Sequence, residues 1–214
     1  MTVRRRCGAR GGSRSRSARV PDEGERWRVF LAIEVPAAVR EALTGPLTAL
    51  EPLRDAIRIN AIERIHLTLH FLGHLPRSDV EQLQPALAPV VGRHQRFRLT
   101  AEGVGAFPNI RRPRVLWAGI AGANLPKLIA LQTEMGDALR TAGLTLEDRF
   151  HPHLTLARVP RPLKAPEREL LRDWSNEWAR AVFGDIPIEH VRLMRSQLGG
   201  GPARYTTLTT FDLQ

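Results

Sequence analysis

The sequence predicts an α+β fold with two similar lobes, each an antiparallel sheet with helices on its outer side, facing one another across a central groove. Two observations support this. A His-Leu-Thr-Leu segment occurs twice, at His66–Leu69 and His153–Leu156. The order strand, helix, His-Thr strand, helix, strand also occurs twice, with these segments in matching places. Such a duplication predicts two lobes related by a pseudo-two-fold axis.

The first copy of this order begins near Trp27. The apolar run Arg28–Val35 predicts a buried strand ended by Pro36, and a helix follows from Ala37 to about Leu50, weakened by Gly45-Pro46. Ile65–Leu72 alternates in the manner of a strand. Ile65, Leu67, Leu69 and Phe71 should share the core face, and His66, Thr68 and His70 the other.

A second helix and strand complete that copy. Ser78 and Glu81 have capping-box spacing, which predicts a helix to about Val91. A strand is predicted over Arg96–Ala101.

The second copy has the same order. A strand is predicted at Arg114–Ile120, then a helix to Ala142 that Asn124 caps, then the strand His153–Val159. A helix is predicted over Pro166–Val182. A terminal hairpin of Ile186–Met194 and Tyr205–Leu213 should turn at Gly199–Pro202.

Charge and composition divide the chain at its N-terminal end. Net charge is +10 overall, but the first 20 residues contain seven arginines and no acidic residue. We therefore predict a disordered Arg-rich leader over residues 1–25 and a single bilobal domain over residues 26–214. The leader is either a solvated tail or a non-specific arm that attracts RNA phosphates.

The cysteine content and the hydropathy of the chain argue against a disulfide-bonded, a zinc-binding or a membrane-spanning protein. A single cysteine, Cys7, cannot form an internal disulfide or a Cys₂His₂ zinc site, and it suits a reducing cytoplasm. No apolar run is long enough for a transmembrane helix, so we predict no membrane contact. A histidine zinc site is disfavoured because no His-Glu-x-x-His helix or carboxylate cluster accompanies the motifs.

The paired motifs carry the chemistry. Residues i and i+2 of a strand share a face, so each lobe presents an imidazole and a hydroxyl to the groove: His66 with Thr68, and His153 with Thr155. Two imidazoles can act as acid and base near neutral pH. Threonine hydroxyls can donate to phosphate oxygens. Hydrolysis of a cyclic phosphodiester needs this set, because water must lose a proton while the leaving sugar oxygen gains one. A lone histidine on a half-exposed strand would more often be structural, and we interpret His70, His74, His94 and His190 in that way.

The chain resembles the 2H phosphoesterase superfamily, and within it the RNA 2′,3′-cyclic phosphodiesterases, also described as 2′–5′ RNA ligase-like proteins. The resemblance covers Arg28 to the C-terminus. It is carried by the two motifs with their flanks: His66-Leu-Thr-Leu-His-Phe-Leu-Gly73, Gly105-Ala-Phe-Pro108 and Phe150-His-Pro-His-Leu-Thr-Leu-Ala-Arg158.

The resemblance implies a V-shaped groove, no metal or other cofactor, and hydrolysis of a terminal 2′,3′-cyclic phosphate of RNA to a 2′-phosphate. It implies His66 as proton donor, His153 as proton acceptor, and phosphate binding by Thr68, Thr155 and Arg158. Arg158 has the wrong parity for a regular strand, so it must reach the phosphate through a bulge, a twist or its own length.

Phe107 is the remaining substrate-binding candidate. It could stack on a base, and the arginines of its loop could bind RNA, although a solvated turn fits equally well. The partners predicted are RNA ends or nucleotides with a cyclic phosphate, bound by a monomer. Reversible 2′–5′ RNA ligation and a non-catalytic nucleotide- or RNA-binding module stay open as alternative functions.

Overall fold

The computed structural model describes residues 25–147, 149–199 and 201–214. Apart from Glu25, the predicted leader lies outside these residues. The helices in the described chain are α1 (Ala37–Thr48), α2 (Arg77–Val91), α3 (Leu125–Thr141) and α4 (Ala165–Trp178). The strands are β1 (Arg26–Glu34), β2 (Arg58–Ile59), β3 (His66–Pro76), β4 (Phe97–Phe107), β5 (Val115–Ala121), β6 (His153–Arg158), β7 (Val182–Ile188), β8 (His190–Gly199) and β9 (Gly201–Asp212).

The described strands form one continuous antiparallel sheet with two four-stranded halves. One half has the order β7-β4-β5-β6 and the other β3-β1-β8-β9, while β2 pairs with the end of β6. The halves join between β3 and β6 through the single register pair Leu67 and Leu154. The two predicted sheets are therefore two halves of one sheet, and the groove opens where β3 and β6 separate.

The duplicated order is confirmed, since β1, α1, β3, α2, β4 is succeeded by β5, α3, β6, α4, β7. The helices cover the outer side of both halves. Helix α1 packs on β7 and α4 on β4, whereas α2 and α3 pack on each other and on β3. Among the described residues, no helix has both the length and the apolar character needed to cross a membrane.

The leucines of the two motifs anchor the halves to the core. Leu67, Leu154 and Leu156 are fully buried, and Leu69 is 3% exposed. Each leucine alternates with a groove-facing histidine or threonine, so burial of the leucines orients the polar side chains.

Helix α1 continues through Gly45-Pro46, where a weak point was predicted. A Cβ on Gly45 would lie 2.7 Å from Cη2 of Trp178. The Trp174 indole donates a hydrogen bond of 2.9 Å to the carbonyl of Pro46. Gly45 therefore permits the close approach of α4, and tertiary packing compensates for the poor helix formers.

Both predictions of helix capping are wrong, because neither side chain makes the predicted hydrogen bond to the start of its helix. Helix α2 begins at Arg77 after Pro76, so Ser78 lies inside its first turn, and Glu81 pairs with Arg77 at 2.9 Å. Asn124 does occupy the N-cap position of α3, but its amide donates to the carbonyl of Arg98 at 3.1 Å.

The predicted helix end at Val182 is also wrong. Helix α4 ends at Trp178, and Val182 begins β7, which pairs with β4. Phe183, Ile186 and Ile188 are buried, a pattern that fits the strand and overrides the helical spacing of Trp178 and Val182. Ile186 consequently belongs to β7, and the terminal hairpin consists of β8 and β9 alone.

Candidate active site

The structure brings the predicted motif residues to one groove. His66, Thr68 and Thr155 are half-buried and line a cavity of about 550 Å³, here called the reaction pocket. His153 lies two residues from Thr155 on the same face of β6. The reaction pocket is also lined by Arg58, Asn60, Phe71, Arg158 and Tyr205.

Both imidazoles are oriented by the same local bond. Nδ1 of His66 donates to the carbonyl of Arg64 at 2.8 Å, and Nδ1 of His153 donates to the carbonyl of His151 at 2.6 Å. A carbonyl can only accept, so the proton lies on Nδ1 and the neutral ring keeps Nε2 as an acceptor. Each half therefore offers one Nε2 for proton transfer.

Aromatic rings hold each imidazole in place. His66 stacks on Phe30, with centroids 4.9 Å apart, and meets Tyr205 edge-on at 5.3 Å. His153 meets Phe107 edge-on at 5.0 Å. Phe107 thus braces His153, while its predicted stacking on a base stays a prediction.

Both histidines have a lowered pKa. Burial is the main cause of the lowered pKa of His66, and the nearby His153 lowers it further, against the opposing hydrogen bond to Arg64. Burial also dominates for the pKa of His153, and the charges of His151 and Arg158 add to it. In the unliganded protein the lowered pKa favours the neutral form of both rings.

A bulge brings Arg158 to the pocket. In the pairing of β5 with β6, Leu116 is opposite Ala157 and Trp117 is opposite Thr155, so Leu156 has no register partner. The extra residue reverses the facing of the two residues after it. Ala157 is fully buried, and Arg158 is exposed and lines the reaction pocket. Of the routes expected for Arg158, the bulge is the one observed.

The same bulge occurs in the other half, where it corrects a prediction. Ala32 is opposite Thr68 and Leu31 is opposite His70, so Leu69 has no register partner. His70 therefore turns into the core, where it is 5% exposed and its Nε2 donates to the carbonyl of Gln132 at 2.8 Å. Its predicted place on the His66 face is wrong.

Phe71 differs from its prediction in the opposite sense to His70. It was expected in the core, but it is 56% exposed and lines the reaction pocket. Phe71 and Arg158 are each the fifth residue after a motif histidine. The duplicated fold thus places an aromatic ring in one half where the other half has a guanidinium.

Asn60 is a pocket residue that no sequence motif indicated. Its side-chain amide donates to the carbonyl of Thr155 at 2.8 Å, and its backbone N–H donates to the carbonyl of Leu156 at 2.8 Å. These bonds hold the bulge of β6. The contact joins residues 95 positions apart, so no local signal could have revealed it.

The remaining histidines lie close to acidic side chains or lie outside the reaction pocket. His94 is 3.3 Å from Glu134, and His190 pairs with Asp212 at 2.7 Å. His151 is exposed and contributes its carbonyl to the orientation of His153. Within the described residues, no three or more His, Cys, Asp or Glu side chains gather as a possible metal site.

Comparisons with known proteins show which family the chain belongs to. Residues 50–200 match the model of the 2′-5′ RNA ligase superfamily. A protein of Archaeoglobus fulgidus named RNA 2′,3′-cyclic phosphodiesterase is 31% identical over 86% of this chain and 99% of its own length. Its namesake in Aeropyrum pernix is 32% identical over 74% of this chain and 92% of its own length.

Solved structures show the same fold. E. coli LigT in complex with 3′-AMP matches with a TM-score of 0.69 and 27% identity, covering 88% of this chain and 99% of that one. A Thermus thermophilus protein matches with a TM-score of 0.70 and 26% identity, covering 86% and 97%. The family predicted from the two motifs is confirmed: the chain belongs to the 2′-5′ RNA ligase superfamily.

Proposed function

We propose that this protein hydrolyses the terminal 2′,3′-cyclic phosphate of RNA to a 2′-phosphomonoester. The names of its relatives support the reaction class. The observation that carries the proposal is the matched pair of imidazoles, each with Nδ1 bonded to the carbonyl two residues upstream and Nε2 left for proton transfer.

The roles are those that in-line displacement requires. Nε2 of His153 takes a proton from water as the water oxygen bonds to phosphorus. The bond from phosphorus to O3′ breaks, and Nε2 of His66, which must be protonated in the complex with the anionic substrate, gives its proton to O3′. Assigning His66 as donor and His153 as acceptor rests on the family resemblance, because the two local geometries are alike.

The phosphate oxygens would be held by Thr68, Thr155 and Arg158. Hydroxyl and guanidinium donors aimed at the non-bridging oxygens stabilise charge that develops in the transition state. Arg158 has no acidic partner among the described residues, so its charge is available to an anion. The reaction pocket has the volume of a nucleotide-sized site.

The decisive experiment is product analysis on an RNA that ends in a 2′,3′-cyclic phosphate. We expect a 2′-phosphate product, with turnover unchanged by excess EDTA. His66→Ala and His153→Ala should each lower kcat by about 10²–10⁴-fold, the usual contribution of one acid or base. A 3′-phosphate product would refute the assigned leaving oxygen, and metal-reversible inhibition by EDTA would refute metal independence.

Reversible 2′–5′ ligation is a second candidate, favoured by the description of the matching family. The same groups could join two RNA ends if a 5′-hydroxyl took the place of water: His153 would take the proton of the hydroxyl as its oxygen bonds to phosphorus, and His66 would protonate O3′ as the bond from phosphorus to O3′ breaks. Incubating RNA halves without ATP tests it. A joined product at a yield above the hydrolysis product would favour ligation, and hydrolysis alone would favour the phosphodiesterase.

A further inference from the structure

A second cavity of about 720 Å³ adjoins the reaction pocket and is lined by guanidinium groups. The two cavities share Arg58 and Arg158. The second, here called the arginine cavity, is also lined by Arg111, Arg112 and Arg114 of the loop between β4 and β5. Arg58 and Arg158 are register partners in the pairing of β2 with β6.

The charge of the arginine cavity is not neutralised within the described chain. Among the described residues that line it, none is acidic. Arg161 also lines it, but it is paired with Glu167 at 2.8 Å. The five arginines Arg58, Arg111, Arg112, Arg114 and Arg158 have no ion-pair partner among the described residues. Gathering like charges around one cavity opposes folding unless an anion binds there.

The backbone that carries these arginines is held in a defined turn. The side-chain oxygen of Asn109 accepts from the backbone N–H groups of Arg111 and Arg112, both at 3.1 Å. The N–H of Arg114 donates to the carbonyl of Phe107 at 2.7 Å, and the carbonyl of Arg114 accepts from Val159 at 2.9 Å. The loop is therefore fastened to β6 beside Arg158.

We infer that the arginine cavity binds phosphodiesters of the RNA strand on the 5′ side of the terminal cyclic phosphate. This inference rests on the proposed function. With the reacting phosphate at Arg158, a strand has further anionic groups to place along the groove, and the adjoining cavity offers charge for them. Guanidinium groups bind phosphate oxygens and also stack on unpaired bases, so this site suits single-stranded RNA.

The test compares substrates of increasing length. For the wild-type protein we expect kcat/KM at low salt to rise at least tenfold from a 2′,3′-cyclic mononucleotide to a pentanucleotide with the same end. In the double variant R111Q/R112Q we expect most of this gain to disappear, with turnover of the mononucleotide unchanged. The control R54Q/R180Q removes the same charge at exposed positions that line neither cavity, and it should keep the gain.

Salt dependence and binding supply the second measurement. The anisotropy of a labelled pentanucleotide ending in a 2′-phosphate measures binding without turnover. R111Q/R112Q should reduce the slope of log affinity against log salt by about 1.4, at about 0.7 per lost contact with a single strand. Equal slopes and an equal length gain in R111Q/R112Q and the wild type would overturn the inference. Absence of turnover of both the mononucleotide and the pentanucleotide in the wild type would instead overturn the proposed function, while the anisotropy would still decide the arginine cavity.

Discussion

At the scale of single residues, the site depends on one local hydrogen bond that occurs in both halves. Each motif histidine donates Nδ1–H to the carbonyl two residues upstream, from Arg64 in one half and His151 in the other. This bond selects the tautomer and supports the imidazolium form, while burial opposes that form and lowers the pKa of both rings. The two effects set which protonation states the unliganded protein offers.

The pKa of His153 leads to a prediction about pH. Burial mainly lowers this pKa, and the positive charges of His151 and Arg158 lower it further. If His153 is the base, kcat/KM falls as the pH drops below its pKa. Arg158→Gln removes one positive charge and so raises this pKa. We expect the acid limb of the kcat/KM profile to move to higher pH, along with a lower maximum.

The comparison is the exposed Arg180→Gln, whose acid limb should stay where the wild type has it. A profile of Arg158→Gln that falls in height without moving along the pH axis would contradict the electrostatic effect of Arg158 on His153. NMR titration of the imidazole signals gives the same pKa values directly.

His70 leads to a prediction about stability. Burial lowers its pKa in the folded protein, so the unfolded chain binds more protons once the pH falls below about 6.5. The contribution of His70 is therefore present above that pH and is lost as the pH falls through its folded pKa. We expect the free energy of unfolding, measured in urea, to fall between pH 8 and pH 5.

His70→Leu should reduce this fall, although it also costs about 1 kcal/mol at pH 8, because the carbonyl of Gln132 loses its donor. The same dependence on pH in His70→Leu and the wild type would show that His70 does not contribute to it.

At the scale of elements, two bulges decide which side chains reach the groove. Leu69 and Leu156 occupy the same position in their motifs, and neither has a register partner. Without these bulges, His70 would face the groove, and Phe71 and Arg158 would face the core. The two motif strands therefore present unlike side chains to the groove, an aromatic ring from β3 and a guanidinium from β6.

A substitution of Asn60, the residue that follows β2, would measure how much the bulge of β6 depends on this neighbouring segment. Asn60→Ala removes the side-chain bond to the carbonyl of Thr155 and keeps the backbone bond to Leu156. We expect a loss of about 1 kcal/mol in the free energy of unfolding. We also expect kcat to fall about tenfold with KM changed less, because Thr155 is no longer held in place.

Steady-state kinetics on a cyclic mononucleotide and urea unfolding measure these two effects. A KM effect that exceeds the kcat effect would assign Asn60 to substrate binding. Wild-type kcat in Asn60→Ala would show that Thr155 keeps its position without this bond.

At the scale of the whole molecule, the junction between the two halves holds the site together. The two motif strands share one register pair, Leu67 with Leu154, and both side chains are fully buried. This short contact lets β3 and β6 diverge and leaves a groove between two well-packed halves.

Leu154→Ala should therefore cost about 2–5 kcal/mol of stability, as truncations of buried leucines do. The matched control is Leu170→Ala, since Leu170 is 47% exposed and its truncation should cost less than about 0.5 kcal/mol. Thermal and urea unfolding compare the two, and equal losses would show that the junction contributes no special stability.

The amino-acid pattern was enough to predict the strand and helix order, the duplication, the groove-facing pairs His66 with Thr68 and His153 with Thr155, and the family. These features depend on periodicity and on short motifs, which are properties of neighbouring residues. The helix end at Val182, the caps at Ser78 and Asn124, and the facing of His70 and Phe71 were decided only in the tertiary structure. The end of α4 and the facing of His70 and Phe71 depend on a partner strand or a bulge, which arise from pairing between distant segments. The amide of Asn124 likewise bonds a distant carbonyl, that of Arg98. The start of α2 before Ser78 follows the adjacent Pro76. Arg158 shows the division most clearly, since the family resemblance predicted the residue and the unpaired Leu156 of β6 turned it toward the groove.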